Sequence, residues 1–136
     1  MDSDEARAFV REHHRAVMHT YRRDGSPQLS PVVAGVDGDG RAIVSTRETA
    51  VKATNLERDP RVSLCVFTER FYGPWVRIDG TADIVRLPDA LELLVDYYRR
   101  VRGEHDDWDE YRQAMREQRR VLLRIAIEAA GPEVSG

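Results

Sequence analysis

The chain has 136 residues, 21 of them Lys or Arg and 24 Asp or Glu, giving a net charge of −3 at neutral pH. That length suits one domain, residues 1–136, hiding roughly two-thirds of its extended surface, and a near-balanced charge excludes a general nucleic-acid or polybasic membrane surface. A single cysteine, Cys65, excludes an internal disulfide, and an acidic start with no apolar run of roughly 18 residues argues against a signal peptide or membrane helix, so a reducing, cytoplasmic setting is expected.

Asp2 or Ser3 caps an opening helix whose Ala6, Phe9 and Val10 share a face, ending near His13-His14. Ala16 to Tyr21 reads as a strand, Asp24-Gly25-Ser26-Pro27 as a turn, and Gln28 to Val36 as a second strand closed by Asp37-Gly38-Asp39-Gly40. Arg41 to Ser45 is a third strand. A short helix from Thr49 or Ala50 to Arg58 stops at Asp59-Pro60, because a proline disfavours helical geometry in the residue before it. Arg61 to Thr68 reads as a strand apolar on both faces, with Cys65 a buried small hydrophobe, and Trp75 to Val85 as its neighbour.

Pro88 opens a helix carrying Leu91, Leu94, Val95 and Tyr98 at i, i+3, i+4 and i+7. After Gly103, Asp106 or Asp107 caps another helix to about Gln118. Val121 to Ile127 completes the sheet, and Gly131 to Gly136 reads as a frayed tail. Short hairpin-linked strands with late helices indicate an α+β antiparallel barrel.

The chemistry concentrates after the third strand. Ser45 and Thr46 leave it, and Lys52 follows one to two helical turns later, so hydroxyls, an ammonium and a helix start can converge on one phosphate. Taken alone, Lys52 is more simply a solvated lysine and Asn55 a residue satisfying local backbone. Pro31 breaks a strand ladder and marks an edge or a bulge. Gly35, Gly38 and Gly40 join two strands and do not spell a dinucleotide-binding turn. His13, His14, His19 and His105 lack metal-ligand spacing, and no G-x-S-x-G or exposed thiol supplies a nucleophile. An enzyme with this inventory works through a borrowed cofactor.

The run Ser45 to Leu64, with Ser30-Pro31-Val32-Val33 upstream and Asp79-Gly80-Thr81-Ala82, Gly103-Glu104-His105, Asp107-Trp108 and Tyr111-Arg112 downstream, resembles the pyridoxamine 5'-phosphate oxidase-like superfamily, in its actinobacterial F420-dependent branch. The resemblance implies a homodimeric split β-barrel, the FMN-binding split barrel, with coenzyme F420, an 8-hydroxy-5-deazaflavin, at the subunit interface. It implies that Lys52 binds the cofactor phosphate, with Ser45, Thr46 and Arg47 beside it and Asn55 fixing the loop or the ribityl chain. Gln28, Ser30, Pro31 and Val32 would press on the ring, with Tyr72 or Trp75 a pocket wall across the dimer. Ala50 stands where FMN-binding relatives commonly carry an arginine, which favours the deazaflavin over FMN. The implied activity is hydride transfer to an unsaturated small molecule. An FMN-dependent pyridoxamine 5'-phosphate oxidase-like enzyme and a noncatalytic deazaflavin or tetrapyrrole binder are the alternatives.

Overall fold

Alternating side chains roll six strands into a barrel in the computed structural model, which describes residues 1–132. They are β1 (Arg15–Tyr21), β2 (Pro27–Val36), β3 (Ala42–Arg47), β4 (Arg61–Phe67), β5 (Trp75–Val85) and β6 (Arg120–Gly131). All neighbours run antiparallel in the order β1-β2-β3-β6-β5-β4, and β4 pairs back to β1. Met18, Leu64, Ile78, Leu123 and Ile125 fill the interior with almost no exposure, each worth about 1.5–3 kcal/mol of apolar burial.

Helices close the ends. In α1 (Ser3–Glu12) the Asp2 carboxylate accepts from Glu5 N–H at 2.8 Å, satisfying an orphan donor, and Ala6 and Val10 enter the barrel core. In α2 (Val51–Arg58) Leu56 joins the same core. Outside the barrel, α3 (Ala90–Arg102) and α4 (Trp108–Glu117) form a second apolar layer. Leu94, Tyr97, Tyr111 and Met115 there pack on Ile43 of β3 and Leu122 of β6.

β4 differs from its expected two-sided burial. Val62, Leu64 and Val66 point inward, while Arg61, Ser63, Cys65 and Phe67 face out. Of its outward residues Cys65 is exposed and Ser63 and Phe67 are half-buried, so the apolar run does not mean burial on both faces. The last strand is longer than its central alternation suggested, reaching Gly131 opposite Arg77, so the expected tail begins later and its residues 133–136 lie outside the described residues. Pro31 sits at an edge without a bulge, since β1 and β2 stay in register through Val17↔Pro31.

The register shift lies elsewhere, where Asp79 and Gly80 of β5 face Ala129 and Ile127 and Glu128 of β6 is the extra residue. A Cβ at Gly80 would stand 2.1 Å from the Ala126 carbonyl oxygen, so only glycine allows β5 and β6 to approach there. Gly80→Ala is expected to cost about 1–3 kcal/mol in urea unfolding through overpacking. The control Gly38→Ala, whose Cβ would meet only the end of Arg100 at 3.7 Å, is expected to change stability by less than about 0.5 kcal/mol.

Candidate functional site

β2 and β3 pair over only three positions, from Val36↔Ala42 to Ala34↔Val44, and then part. The Ala34 N–H donates to the His14 carbonyl at 2.8 Å, which sets the pairing phase of β1 with β2. In that phase the main-chain groups of Val33 and Pro31 turn away from β1 toward the opening. Pro31 therefore removes no ladder donor where it stands.

Tyr97 from α3 bridges the opening. Its phenol donates to the Val33 carbonyl at 2.7 Å, with the Ser45 main chain close by. Burial pushes this phenol above its ordinary pKa, so it stays neutral and keeps its bond to β2.

Beside Tyr97 lies a cavity of about 500 Å³. Pro31, Val32 and Val33 line it from β2, Ser45 and Thr46 from β3, and Lys52 from α2. Tyr98, Tyr111 and Met115 supply its helical wall, with Gln118, Arg120 and Arg102 completing the lining. The wall is stiff: Tyr98 and Tyr111 meet edge to face at 5.0 Å, Tyr98 and Trp108 at 5.8 Å, and the Tyr111 hydroxyl donates to Leu94 O at 2.9 Å. Burial pushes the Tyr111 phenol up to about 12.

The electrostatics are unbalanced. Arg112, Arg124, Arg86 and other surface arginines have carboxylate partners, yet among the described residues Lys52, Arg102, Arg120 and Arg47 have none. Arg120 donates only to Gln118 Oε1, at 2.9 Å. Burial, and then the nearby Arg120 charge, lower the Lys52 pKa; burial, and then Arg47, lower that of Arg120. Arg47 and Arg120 stand directly opposite in the β3–β6 ladder, an arrangement that repels. α2 begins at Ala50 with no side-chain cap and no acid in its first turn, leaving its N–H groups and dipole uncompensated. Half-buried cations without counterions lower stability, and a bound phosphoryl group relieves that cost.

Of the residues singled out in the sequence, Pro31, Val32, Ser45, Thr46 and Lys52 come together here. Arg47 is exposed just outside. Gln28, Ser30 and Asn55 do not line the cavity. Asn55 Nδ2 donates to Thr20 Oγ1 at 3.1 Å, and that hydroxyl donates to Gln28 Oε1 at 3.1 Å, a polar chain linking α2 to β1 and β2. The Ser30 hydroxyl is buried without a protein partner. Tyr72 and Trp75 lie at a separate surface cleft of about 470 Å³ with Arg70 and Pro74.

The sequence reading missed Tyr97 as a bridge and Arg120 as a site cation. Arg119 adopts a left-handed φ of 53°, turning the chain out of α4, and its side chain meets Glu48 while Arg120 lines the cavity. Two arginines ahead of the apolar Val121-Leu122-Leu123 were the available signal.

The sequence profile of the pyridoxamine 5'-phosphate oxidase family matches residues 2–132, and the chain belongs to that family. Among solved structures it is similar to the conserved hypothetical protein Rv2991 from Mycobacterium tuberculosis, with TM-score 0.77 and 28% identity over 100% of this chain and 92% of that one. It also resembles an F420 reductase, with TM-score 0.70 and 19% identity over 91% and 94%. A heme binding protein from Mycobacterium smegmatis gives TM-score 0.69 and 17% identity over 94% of this chain and 52% of that one. These likenesses carry the fold of the split barrel. Among the described residues no helix is long and apolar enough to cross a membrane.

Because the Lys52 pKa is lowered in the folded protein, its charge is lost at lower pH than an ordinary lysine's. Pyrophosphate affinity, followed calorimetrically, is therefore expected to fall as pH rises through that lowered value. In Lys52→Arg the fall moves to higher pH, because a guanidinium stays charged. Superimposable wild-type and variant profiles would show that Lys52 is not the titrating anchor.

Proposed function

We propose that this protein is a homodimeric F420-dependent oxidoreductase that transfers hydride from the reduced deazaflavin to an unsaturated small organic molecule. The observation carrying this reading is the pair of half-buried cations, Lys52 and Arg120, that share one cavity with the Ser45 and Thr46 hydroxyls and have no carboxylate partner among the described residues. That donor set fits a phosphoryl group: point charge from the ammonium, a planar fork from the guanidinium, and two hydroxyls. The name of the F420 reductase with the same fold supports the choice of cofactor.

When bound, the cofactor supplies the hydride. The chain's own residues do the rest. Lys52, Arg120, Ser45 and Thr46 anchor the phosphoryl end, Pro31, Val32 and Val33 offer an apolar edge to a planar ring, and the Tyr98–Tyr111 wall limits water. Tyr97 ties α3 to the β2 rim of the cleft through the Val33 carbonyl.

FMN remains the second reading because Arg120 supplies the second cation that Ala50 fails to supply. Arg120 takes this part in preference to Arg47, which is exposed and outside the cavity. A noncatalytic deazaflavin or tetrapyrrole binder would hold its ligand without turnover.

The dimer reading rests on an uncovered apolar belt. Leu29 is 61% exposed, Phe71 77% and Tyr72 92%, and Val17, Cys65 and Phe67 continue the belt across β1 and β4. A monomer rarely leaves such a surface in water, and a second copy would cover it. Leu29→Arg is expected to shift sedimentation from dimer to monomer and to weaken cofactor binding. A wild-type protein sedimenting as a monomer would contradict the dimer.

Titration with F420 and with FMN, followed by tryptophan fluorescence, ranks the two readings, and mixing the reduced complex with enones and quinones tests turnover. Lys52→Ala and Arg120→Ala are each expected to weaken F420 binding by about 1.5–3 kcal/mol, and Arg47→Ala by less, with no loss of melting temperature in the absence of ligand. Tighter FMN binding would overturn the choice of cofactor, and tight F420 binding without turnover would favour the carrier.

A further inference from the structure

We infer that a second cavity, beside His14, receives the hydride acceptor, and that His14 donates the proton that completes its reduction. This rests on the reading of the barrel split as the seat of a hydride-donating cofactor. The second cavity measures about 370 Å³ and meets the first at Val33 and Arg102, which line both. The two cavities therefore border each other across these side chains.

His14 lies between α1 and β1 and lines this second cavity. Its Nδ1 contacts the Ala34 carbonyl at 2.8 Å. A carbonyl only accepts, so Nδ1 carries a hydrogen and donates it in both charge states, and Nε2 is the nitrogen that gains and loses a proton. Among the described residues no hydrogen bond engages Nε2. The same bond ties the ring to Ala34, the residue after which β2 leaves β3, so the imidazole is fixed to the mouth of the split.

The surroundings define the guest. Val33, Phe67 and Val101 give the cavity apolar surface. Of the charged groups around it, Arg15 and Glu69 pair with each other at 3.3 Å, His13 stacks on Phe9 at 4.7 Å, and Glu12 and Arg102 remain with opposite signs. No charge of one sign dominates, which suits a neutral, planar conjugated carbonyl compound. An α,β-unsaturated ketone also needs what this cavity adds. Hydride adds to its β-carbon, the π electrons move onto the carbonyl oxygen as an enolate, and the Nε2 proton passes to the α-carbon. The ketone is thereby reduced by two electrons and gains two hydrogens, the reduced deazaflavin is oxidised, and water returns the proton to His14.

The first test needs no turnover. para-Nitrophenolate, a planar enolate-like anion, is titrated into the full-length protein with and without F420, while nitrogen NMR of the labelled histidines follows His14. The expected result is a displaced His14 Nε2 resonance on binding and markedly weaker binding to His14→Gln. In the second test, cyclohexenone reduction by His14→Gln is expected to fall about 100-fold or more, with F420 affinity unchanged. A His14 signal indifferent to para-nitrophenolate, or a variant that reduces cyclohexenone at the wild-type rate, overturns the proposal. Failure of F420 to bind while the phenolate still moves His14 would sink the cofactor reading and leave the pocket standing.

Discussion

The early parting of β2 from β3 is the constraint on which the site depends. A barrel this small fills its own interior, as the fully buried Met18, Leu64, Ile78, Leu123 and Ile125 show, and has no room inside for a large planar ligand. Ending one ladder after three pairs leaves two strand edges with main-chain groups that need partners. Tyr97 supplies one such partner, its phenol donating to the Val33 carbonyl of one strand close to Ser45 of the other. The gap is thereby stabilised as a gap, and it carries Ser45, Thr46 and Pro31 on its rims.

Charge placement follows from the same topology. β3 and β6 pair along their length, which sets Arg47 opposite Arg120 and brings Arg120 near the start of α2 and Lys52. Several arginines find acids, Arg41 with Asp37 and Asp39, Arg61 with Asp59, Arg112 with Glu92, while among the described residues Arg11, Arg22, Arg23, Arg58, Arg70 and Arg116 pair with none at the surface. The cations around the split pair with none either, in a protein with more acids than bases. Leaving them uncompensated costs folding stability and favours an anionic ligand, a trade familiar at binding sites.

Much of this was legible in the sequence because it is local. Alternation gave the strands, Asp2 and Asp107 gave two helix caps, and Ser45, Thr46 and Lys52 lie within one strand–helix step, so their convergence needs no long-range information. What escaped depends on distant pairing. Arg120 joins Lys52 only because β6 crosses beside β3, and Tyr97 reads as one more apolar position until α3 is laid across the split. Cys65 was misjudged for a related reason: an apolar strand face looks the same whether its own protomer covers it or leaves it open. Gln28 and Ser30 share the face of Val32 but stand earlier along β2, beyond the cavity, and Asn55 and Gln28 are joined through Thr20.

The central claim is that Lys52 and Arg120 grip the same phosphoryl group. A double-mutant cycle on F420 binding, measured by calorimetry with Lys52→Ala, Arg120→Ala and the combined variant, tests it directly. Shared contact predicts non-additive losses with a coupling energy above about 0.5 kcal/mol. Losses that simply add, or a combined variant that binds F420 as the wild type does, would contradict it.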